Sequence, residues 1–296
     1  MGNSHKHSIN YNKAFAIGIF LNVGYVIVEF VYGLIFGSMA LIADAGHNLS
    51  DVLGLLLAWG ASSLATKSSS QKMTYGYRKS TILAAFINSI ILMVAVGAIT
   101  FESVGRFFNP QQITGGNMMI VAGIGVVINT VTALLFMSGS KKDLNIKGAF
   151  LHMAADAGIS VGVVIAGLLI SITNLYWIDP AISLVIVLII TIGTWGLLKE
   201  SFTMSMDAVP EGIKLSEVKN FLLKQKNVTE VHDIHIWPLS TTETALTAHV
   251  MRSSDDSHDE FLTCMSRELH EKFGISHVTI QIEYSELEVD RNKICN

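Results

Sequence analysis

Residues 177–198 read WIDPAISLVIVLIITIGTWGLL, an apolar run in which Asp179 is the only charged residue. A helix of about 20 apolar residues is long enough to cross the hydrocarbon layer of a bilayer. Five other stretches of the chain share this length and character. The sequence therefore predicts six membrane-spanning helices, at residues 14–36, 38–65, 82–101, 117–137, 148–172 and 177–198.

The composition supports a membrane protein with a second, soluble part. Of the 296 residues, 50% are hydrophobic and 15% are charged, and the mean hydropathy is +0.48, which is outside the usual soluble range. Residues 1–199 contain eleven Lys and Arg against seven Asp and Glu, whereas residues 200–296 contain nine against seventeen. We predict a cytoplasmic N-terminal tail (1–13), a six-helix membrane domain (14–199) and a cytoplasmic α+β domain (200–296). The acidic soluble part argues against nucleic acid as a partner.

Basic residues lie on alternate connections between the predicted helices. One set of connections carries seven Lys and Arg residues, and the other set carries only Arg106. Because basic loops stay on the cytoplasmic side of a membrane, both termini are predicted to be cytoplasmic. The polar N-terminus has no cleavage pattern and is predicted to be retained. Two cysteines, Cys264 and Cys295, are too few for a disulfide framework and fit a reducing compartment.

The polar C-terminal part shows the periodicities of a small soluble fold. Its pattern predicts a helix from Leu215 to Lys226, strands from Val231 to Trp237 and from Thr244 to Met251, a helix from His258 to Phe273, and a strand from His277 to Glu283. This order predicts one antiparallel sheet with the helices on one face, a fold that does not by itself imply a function.

Two histidines within the apolar spans are each followed four residues later by aspartate: His47 by Asp51, and His152 by Asp156. Residues four apart lie on the same face of a helix. Two such faces opposed would supply two imidazoles and two carboxylates, a tetrahedral donor set that suits zinc. The alternatives are that each pair is only a hydrogen bond within its helix, or that His47 and His152 are merely polar residues at an interface between helices. Four ionisable groups inside a bilayer are costly, and their repeated spacing favours the metal site.

Two further acidic residues in the spans have more than one interpretation. Asp44, three residues before His47, either orients that imidazole or caps the start of its helix. Glu29 either forms a hydrogen bond between helices or belongs to an ion path.

Four stretches together resemble the cation diffusion facilitator family, and more narrowly its zinc-exporting bacterial members: residues 43–51 (ADAGHNLSD), 75–78 (YGYR), 149–156 (AFLHMAAD) and 231–237 (VHDIHIW). The resemblance implies a homodimer in the bacterial plasma membrane that exports Zn²⁺, with Cd²⁺ and Co²⁺ as further candidates, in exchange for protons. The four transport ligands match His47, Asp51, His152 and Asp156. This chain lacks the His-rich loop that many eukaryotic members carry after the fourth span.

The resemblance also implies a regulatory metal site in the cytoplasmic domain. Matching the family's pattern strand by strand gives His232, His249 and Glu283 as its ligands. His5 and His7, near the N-terminus, belong either to a flexible tail or to such a site on a neighbouring subunit.

Two other kinds of protein would use the same features. A membrane metalloenzyme would employ the four-ligand site to activate water, and a metal sensor would signal occupancy of the soluble domain. The sequence contains neither a His-Glu-x-x-His motif nor a Gly-x-x-x-x-Gly-Lys-Ser/Thr nucleotide loop, which disfavours the enzyme and an ATP-driven pump. We therefore predict a transporter and no enzyme.

Overall fold

The computed structural model describes residues 11–137, 144–253 and 258–284. Six long helices come first, and a small α+β arrangement follows. In chain order the elements are α1 (Tyr11–Phe36), α2 (Met39–Ala65), α3 (Ser80–Phe108), α4 (Gly115–Met137), α5 (Leu144–Thr173), α6 (Ile178–Ser205), α7 (Leu215–Leu223), β1 (Val228–Pro238), β2 (Thr244–Arg252), α8 (His258–Phe273) and β3 (Ile275–Glu283). The chain divides into two compact units, Met1–Leu57 with Ile87–Leu197 and Ala58–Phe86 with Leu198–Asn296.

The first six helices correspond to the six predicted spans. Within the described residues, four helical stretches are long and apolar enough to cross a membrane: Ser80–Phe108, Gly115–Leu135, Phe150–Thr173 and Ile178–Ser205. Phe20–Phe36 is a shorter apolar helix. The predicted class, a helical membrane domain followed by an α+β domain, is confirmed. The predicted boundaries at residues 13 and 199 stay a prediction.

The core of the first unit is made by apolar side chains from α2 to α6. Its fully buried members include Leu41, Met118 and Val163. Helices α4 and α5 approach each other closely where Gly115 faces Gly167. A β-carbon at Gly167 would lie 2.8 Å from the Gly115 carbonyl oxygen, which is closer than real contacts allow. Glycine at both positions therefore permits α5, the helix that carries His152 and Asp156, to pack directly against α4.

The start of α2 is held by an aspartate from α6. The Asp179 carboxylate accepts hydrogen bonds from the Met39 amide (2.6 Å), the Ala40 amide (3.2 Å) and the Ser38 hydroxyl (2.5 Å). Ser38 also accepts a hydrogen bond from the Leu41 amide at 3.2 Å. Because the first amides of a helix have no partner within the helix, this carboxylate and hydroxyl satisfy groups that would otherwise be buried unpaired. They fix the end of α2 two turns before His47.

In the second unit, three strands form a sheet in the order β1-β2-β3. Strands β1 and β2 are antiparallel, but β2 and β3 are parallel. The prediction of a wholly antiparallel sheet is therefore wrong. The reason is that α8 lies between β2 and β3 in the chain. This helix returns the chain to the edge of the sheet where β2 begins, so β3 starts beside the start of β2 and runs in the same direction. The apolar residues of α7 and α8 pack on one face of the sheet.

The opposite face of this sheet carries polar side chains. His232 on β1 pairs in register with His249 on β2, and His249 pairs with Gln281 on β3. The next pair on this face is Met251 with Glu283. Since side chains alternate between the faces of a strand, both imidazoles and the Glu283 carboxylate lie on the face away from the helices.

The second unit also contains the connection between α2 and α3. Arg78 forms an ion pair with Glu243 at 2.8 Å, and Lys79 forms one with Asp207 at 2.7 Å. The Tyr75 ring lies 5.6 Å from the His277 ring in an edge-on arrangement. Exposed ion pairs contribute little stability individually. Together these ion pairs hold the basic α2–α3 connection close to acidic residues of the polar C-terminal part.

Candidate metal centres

In the first unit, the Asp156 carboxylate lies between two imidazoles. Asp156 Oδ1 is 3.6 Å from His47 Nε2, and Asp156 Oδ2 is 3.7 Å from His152 Nε2. The two rings lie 6.2 Å apart, centroid to centroid, at an interplanar angle of 76°. Helix α2 supplies His47, while α5 supplies His152 and Asp156 one turn apart. The structure thus brings together three of the four residues predicted for this centre.

These separations are longer than hydrogen bonds between the imidazoles and the carboxylate would be. An N–H to oxygen hydrogen bond measures about 2.7 to 3.2 Å, so both contacts are too long. Two ligands at ordinary zinc bond lengths on neighbouring corners of a tetrahedron are about 3.3 to 3.5 Å apart, which is close to the observed 3.6 and 3.7 Å. The Asp156 side chain is only 2% exposed, and its Oδ1 has no hydrogen-bond partner in the described part of the chain. A cation between the three groups would satisfy that oxygen.

Asp51, the fourth predicted ligand, lies in α2 one turn after His47. Its backbone belongs to the same helix face, as the sequence predicts. Its side chain lies outside the described part of the structure, and its assignment as a ligand stays a prediction.

Buried polar side chains next to this centre join α2 to α1 and to α5. The Tyr25 hydroxyl donates a hydrogen bond to Glu29 Oε1 at 2.7 Å, and the Asn48 amide donates to Glu29 Oε2 at 3.4 Å. One turn earlier on α2, the Ser160 hydroxyl of α5 donates to Asp44 Oδ2 at 3.1 Å. Glu29 and Asp44 are both completely buried. Three helices that surround the centre are thereby linked by hydrogen bonds.

These hydrogen bonds, with those of Asp179, decide between the interpretations given above for Asp44 and Glu29. Asp44 does not cap α2, because the helix begins at Met39 and its first amides bond to Asp179. Glu29 forms hydrogen bonds between α1 and α2, which is the first of its two interpretations. The ion-path interpretation of Glu29 stays a prediction.

A second cluster lies on the open face of the sheet. Glu283 Oε1 is 2.7 Å from His249 Nδ1, and Glu283 Oε2 is 3.3 Å from His232 Nε2. One potential ligand atom from each of the three residues lies within 4.8 Å of the others. The Glu283 side chain is 11% exposed, and the imidazoles are 37% and 29% exposed. These are the three residues that the family resemblance implies for the cytoplasmic site.

A bulge in β1 adds Asp233 to this cluster. The pairing of β1 with β2 shifts between His232 and His235, and Asp233 has a positive φ of 47°. Its carboxylate reaches His249 Nε2 at 3.6 Å and His235 Nε2 at 3.1 Å. A bulge is a common way to redirect a side chain at a functional site.

Sequence reasoning missed four residues that hold or surround these centres. They are Tyr25, Ser160, Asp179 and Asp233. The spacing in the sequence could have indicated two of them. Tyr25 lies four residues before Glu29, and Ser160 lies four residues after Asp156, so each shares a helix face with a residue already singled out. Asp233 is adjacent to a predicted ligand. Only the contact of Asp179 with α2, 140 residues away, has no local signal. His5 and His7 lie outside the described residues.

A helical membrane domain joined to an α+β domain, with imidazoles and carboxylates gathered in each, is the architecture of a membrane protein that handles metal cations. Two family models match the chain: the cation efflux transmembrane domain over residues 15–204, and the cation efflux protein cytoplasmic domain over residues 210–285. The chain belongs to the cation efflux family, also called the cation diffusion facilitators. It is a multi-pass membrane transporter that exports divalent metal cations, not an enzyme.

Individual relatives agree over nearly their whole length. The cation efflux system protein CzcD of Alcaligenes sp. is 35% identical over 288 residues, which cover 97% of this chain and 91% of that protein. The cadmium, cobalt and zinc/H⁺-K⁺ antiporter of Bacillus subtilis is 33% identical over 300 residues, which cover 100% and 96%. A solved structure, the metal-bound C-terminal domain of CzcD from Cupriavidus metallidurans, is 37% identical, with a TM-score of 0.22, and covers 24% of this chain and 99% of that one.

Proposed function

We propose that this transporter exports Zn²⁺ from the cytoplasm in exchange for protons, and that His47, Asp51, His152 and Asp156 hold the ion during transport. The observation that carries the proposal is the position of Asp156, whose two oxygens face imidazoles from two different helices at 3.6 and 3.7 Å. An ion bound there links α2 to α5. Movement of these helices relative to each other would then expose the ion to either side of the membrane.

Zinc suits this donor set better than the alkaline-earth ions do. Two nitrogens and two oxygens make a four-coordinate site of intermediate softness, whereas Mg²⁺ and Ca²⁺ prefer six or more oxygen ligands. Cadmium and cobalt accept the same donors, and the Bacillus subtilis relative is described as an antiporter for cadmium, cobalt and zinc. We therefore name Zn²⁺ as the principal substrate, with Cd²⁺ and Co²⁺ as further substrates.

Protons are the proposed counter-ion because metal and protons compete for the same atoms. Imidazole and carboxylate must be deprotonated to bind a metal, so loading releases protons and unloading takes them up. An ordinary imidazole has a pKa of about 6.5, so its protonation responds to a difference in pH near neutrality. The Bacillus subtilis relative exchanges metal for H⁺ and K⁺.

The ion pairs of the α2–α3 connection support the proposed orientation. Arg78 and Lys79 pair with Glu243 and Asp207, which belong to the polar C-terminal part. These pairs support a position of this connection and the soluble domain on the same side of the membrane. The positive-inside rule makes that side the cytoplasm. We propose a homodimer in a bacterial plasma membrane, with both termini cytoplasmic.

Zinc flux into sealed proteoliposomes tests the proposed exchange. With an acidic interior, zinc uptake should accelerate, the interior should become more alkaline as zinc enters, and a protonophore should remove the acceleration. Asp156→Asn vesicles provide the background rate. Zinc uptake that ignores the pH gradient and leaves the interior pH unchanged would contradict proton exchange. A folded protein with no flux of zinc, cadmium or cobalt would contradict the whole proposal.

A change at His47 is expected to alter which ion is preferred. In His47→Asp the site gains a carboxylate and loses an imidazole. Its harder donor set favours manganese, and its less strictly tetrahedral geometry admits the larger cadmium ion. We expect transport to continue, with the ratio of cadmium or manganese flux to zinc flux raised roughly tenfold. Competition between the metals in the vesicle assay measures that ratio. An unaltered ratio would argue against His47 as a ligand.

We also propose that His232, His249 and Glu283 bind metal as a regulatory site. The motivation is charge: residues 200–296 carry nine basic against seventeen acidic residues. Two such domains in a dimer repel each other, and bound divalent cations would reduce the repulsion. Occupancy of the site would thus stabilise the dimer when cytoplasmic zinc is abundant.

Removing both imidazoles should separate regulation from transport. In full-length His232→Ala/His249→Ala protein, the rise in melting temperature on adding zinc should shrink by at least half, because two of three ligands are missing. Zinc flux at saturating zinc should persist. Total loss of flux from a folded, dimeric variant would assign these histidines to the transport path instead.

A further inference from the structure

Glu29 is a completely buried carboxyl group of α1. The Tyr25 hydroxyl donates a hydrogen bond to its Oε1 at 2.7 Å, and the Asn48 amide of α2 donates to its Oε2 at 3.4 Å. Neither partner is charged, and the described part of the chain places no Lys or Arg in an ion pair with Glu29. An ionised carboxylate inside a bilayer is costly unless a positive charge neutralises it. A proton or a nearby cation is therefore needed to balance Glu29.

Asp44 is a second buried carboxyl group beside the first. It lies on α2 and interacts electrostatically with Glu29. Its Oδ2 accepts a hydrogen bond from the Ser160 hydroxyl of α5 at 3.1 Å, whereas its Oδ1 has no hydrogen-bond partner in the described residues. The other titratable group that contacts Glu29 is Tyr25 of the same helix, and α4 contributes only the Val121 carbonyl oxygen, 3.5 Å from the Tyr25 hydroxyl. Two neighbouring carboxyl groups without a cation favour a state in which one of them keeps its proton.

These carboxyl groups are close to the membrane metal centre. Asp44 interacts electrostatically with His47 and Asp156, two of the proposed ligands. Asn48, which bonds to Glu29, directly follows His47 in α2. A divalent cation in the centre would add two positive charges to this buried region, and in a low-dielectric interior a positive charge favours the ionised form of a nearby carboxyl group. Zinc binding would thus favour loss of a proton from Glu29, and zinc release would favour its return.

We propose that Glu29 is a proton-binding residue of the exchange, which holds one proton in the metal-free transporter and releases it when Zn²⁺ binds, without itself ligating the metal. The inference deepens the proposed zinc–proton exchange and rests on it. As zinc enters from the cytoplasm, the Glu29 acid loses one H⁺ to that side. As zinc leaves on the far side, the carboxylate takes up one H⁺ there. One proton thus moves inward for each zinc ion exported, in addition to any that leave the ligands.

The hydrogen-bond partners of Glu29 suit both of its states. The Tyr25 hydroxyl and the Asn48 amide donate to the carboxylate that zinc binding leaves behind. In the acid form, the added O–H needs an acceptor. Asp44 Oδ1, which no hydrogen bond satisfies in the described residues, and the oxygen of the Asn48 amide can each supply one. Proton loss and uptake therefore leave no group of this region without a partner.

Proton release on zinc binding tests the inference. The test background is the full chain carrying His232→Ala/His249→Ala, which removes the proposed regulatory site. Protons released per bound zinc ion are measured in detergent with a pH indicator in weakly buffered solution. Glu29→Gln keeps the size and the hydrogen-bonding ability of the side chain but has no acid proton, so it should release about one proton fewer per zinc ion. Glu102→Gln, which changes an exposed carboxylate of α3, should release as many protons as the background.

Infrared difference spectroscopy gives a measurement that does not depend on the folding of Glu29→Gln. Zinc binding to the test background should remove the carbonyl-stretching band of a protonated carboxyl group, because Glu29 becomes ionised. Glu29→Asp retains a carboxyl group and should shift this band, and Glu29→Gln should lack it. If zinc removes no such band from the background, the inference is wrong. A band that is unchanged in the Glu29 variants would assign the proton to another carboxyl group, and would overturn the inference as well.

Failure of the inference differs from failure of the proposed exchange. If the test background binds no zinc or releases no protons, the exchange is wrong, and the role of Glu29 with it. If the background releases protons and Glu29→Gln releases the same number, the exchange stands and the role of Glu29 is wrong. A merely structural Glu29 would show a lower thermal unfolding midpoint in Glu29→Gln with an unchanged proton count, which also contradicts the inference.

Discussion

Replacing Asp156 with alanine is expected to reduce zinc flux about 100-fold or more. Exchange of a residue that merely supports a metal ligand typically costs about 10- to 100-fold in affinity, and Asp156 contacts both imidazoles directly in the geometry described above. Without it, a divalent ion in a buried, low-dielectric site loses the carboxylate nearest to both nitrogens. Initial rates of zinc uptake into proteoliposomes measure the effect.

Two controls separate loss of the site from loss of the fold. Size-exclusion chromatography and the thermal unfolding midpoint of Asp156→Ala should match those of the parent. Ser171→Ala changes a hydroxyl on the same helix that bonds to the Gly167 carbonyl of that helix, and it should transport at nearly the parental rate. Parental flux through Asp156→Ala would remove this residue from the transport site.

Asp179→Ala is expected to have the largest effect on stability. It leaves the Met39 and Ala40 amides and the Ser38 hydroxyl without their acceptor, and each buried unsatisfied group costs about 1 to 3 kcal/mol. We expect a loss of about 3 kcal/mol or more in the free energy of unfolding, seen as a lower unfolding midpoint in detergent and a lower yield of folded protein.

The comparison variants for Asp179 test the cause. Asp179→Asn retains one oxygen acceptor and should lose much less stability. Glu102→Ala breaks the exposed pair with Arg106 at 2.8 Å, which is worth about 1 kcal/mol or less. If Asp179→Ala unfolds at the same temperature as Glu102→Ala, the capping of α2 by α6 is not important for stability.

Helices and strands could be predicted well from the sequence where a pattern in consecutive residues marks them. The apolar runs marked the six long helices, and the strand from Thr244 differs from the prediction only by one residue at its end. The direction of β3 was not predicted correctly, because a short apolar run shows that a strand exists but not which way it pairs. That direction depends on how α8 packs across the sheet.

The candidate metal centres were likewise predictable only where neighbouring residues in the sequence form them. The spacing of four placed His152 and Asp156 on one helix face, but the approach of His47 to Asp156 depends on α2 packing beside α5. The Asp179 contact that fixes the start of α2 joins residues 140 positions apart and leaves no periodic trace. Asp233 was overlooked because a bulge, unlike a regular strand, has no repeating pattern that predicts where its side chain points.

The parallel pairing of β3 has a consequence for biosynthesis. A nascent chain that has emerged as far as Arg252 already contains the six long helices and both imidazoles of the cytoplasmic cluster. It lacks Glu283, which arrives only on β3, after α8 has crossed the sheet. The candidate ligand set of the sheet is therefore complete only after the six long helices, both histidine strands and α8 have been synthesised.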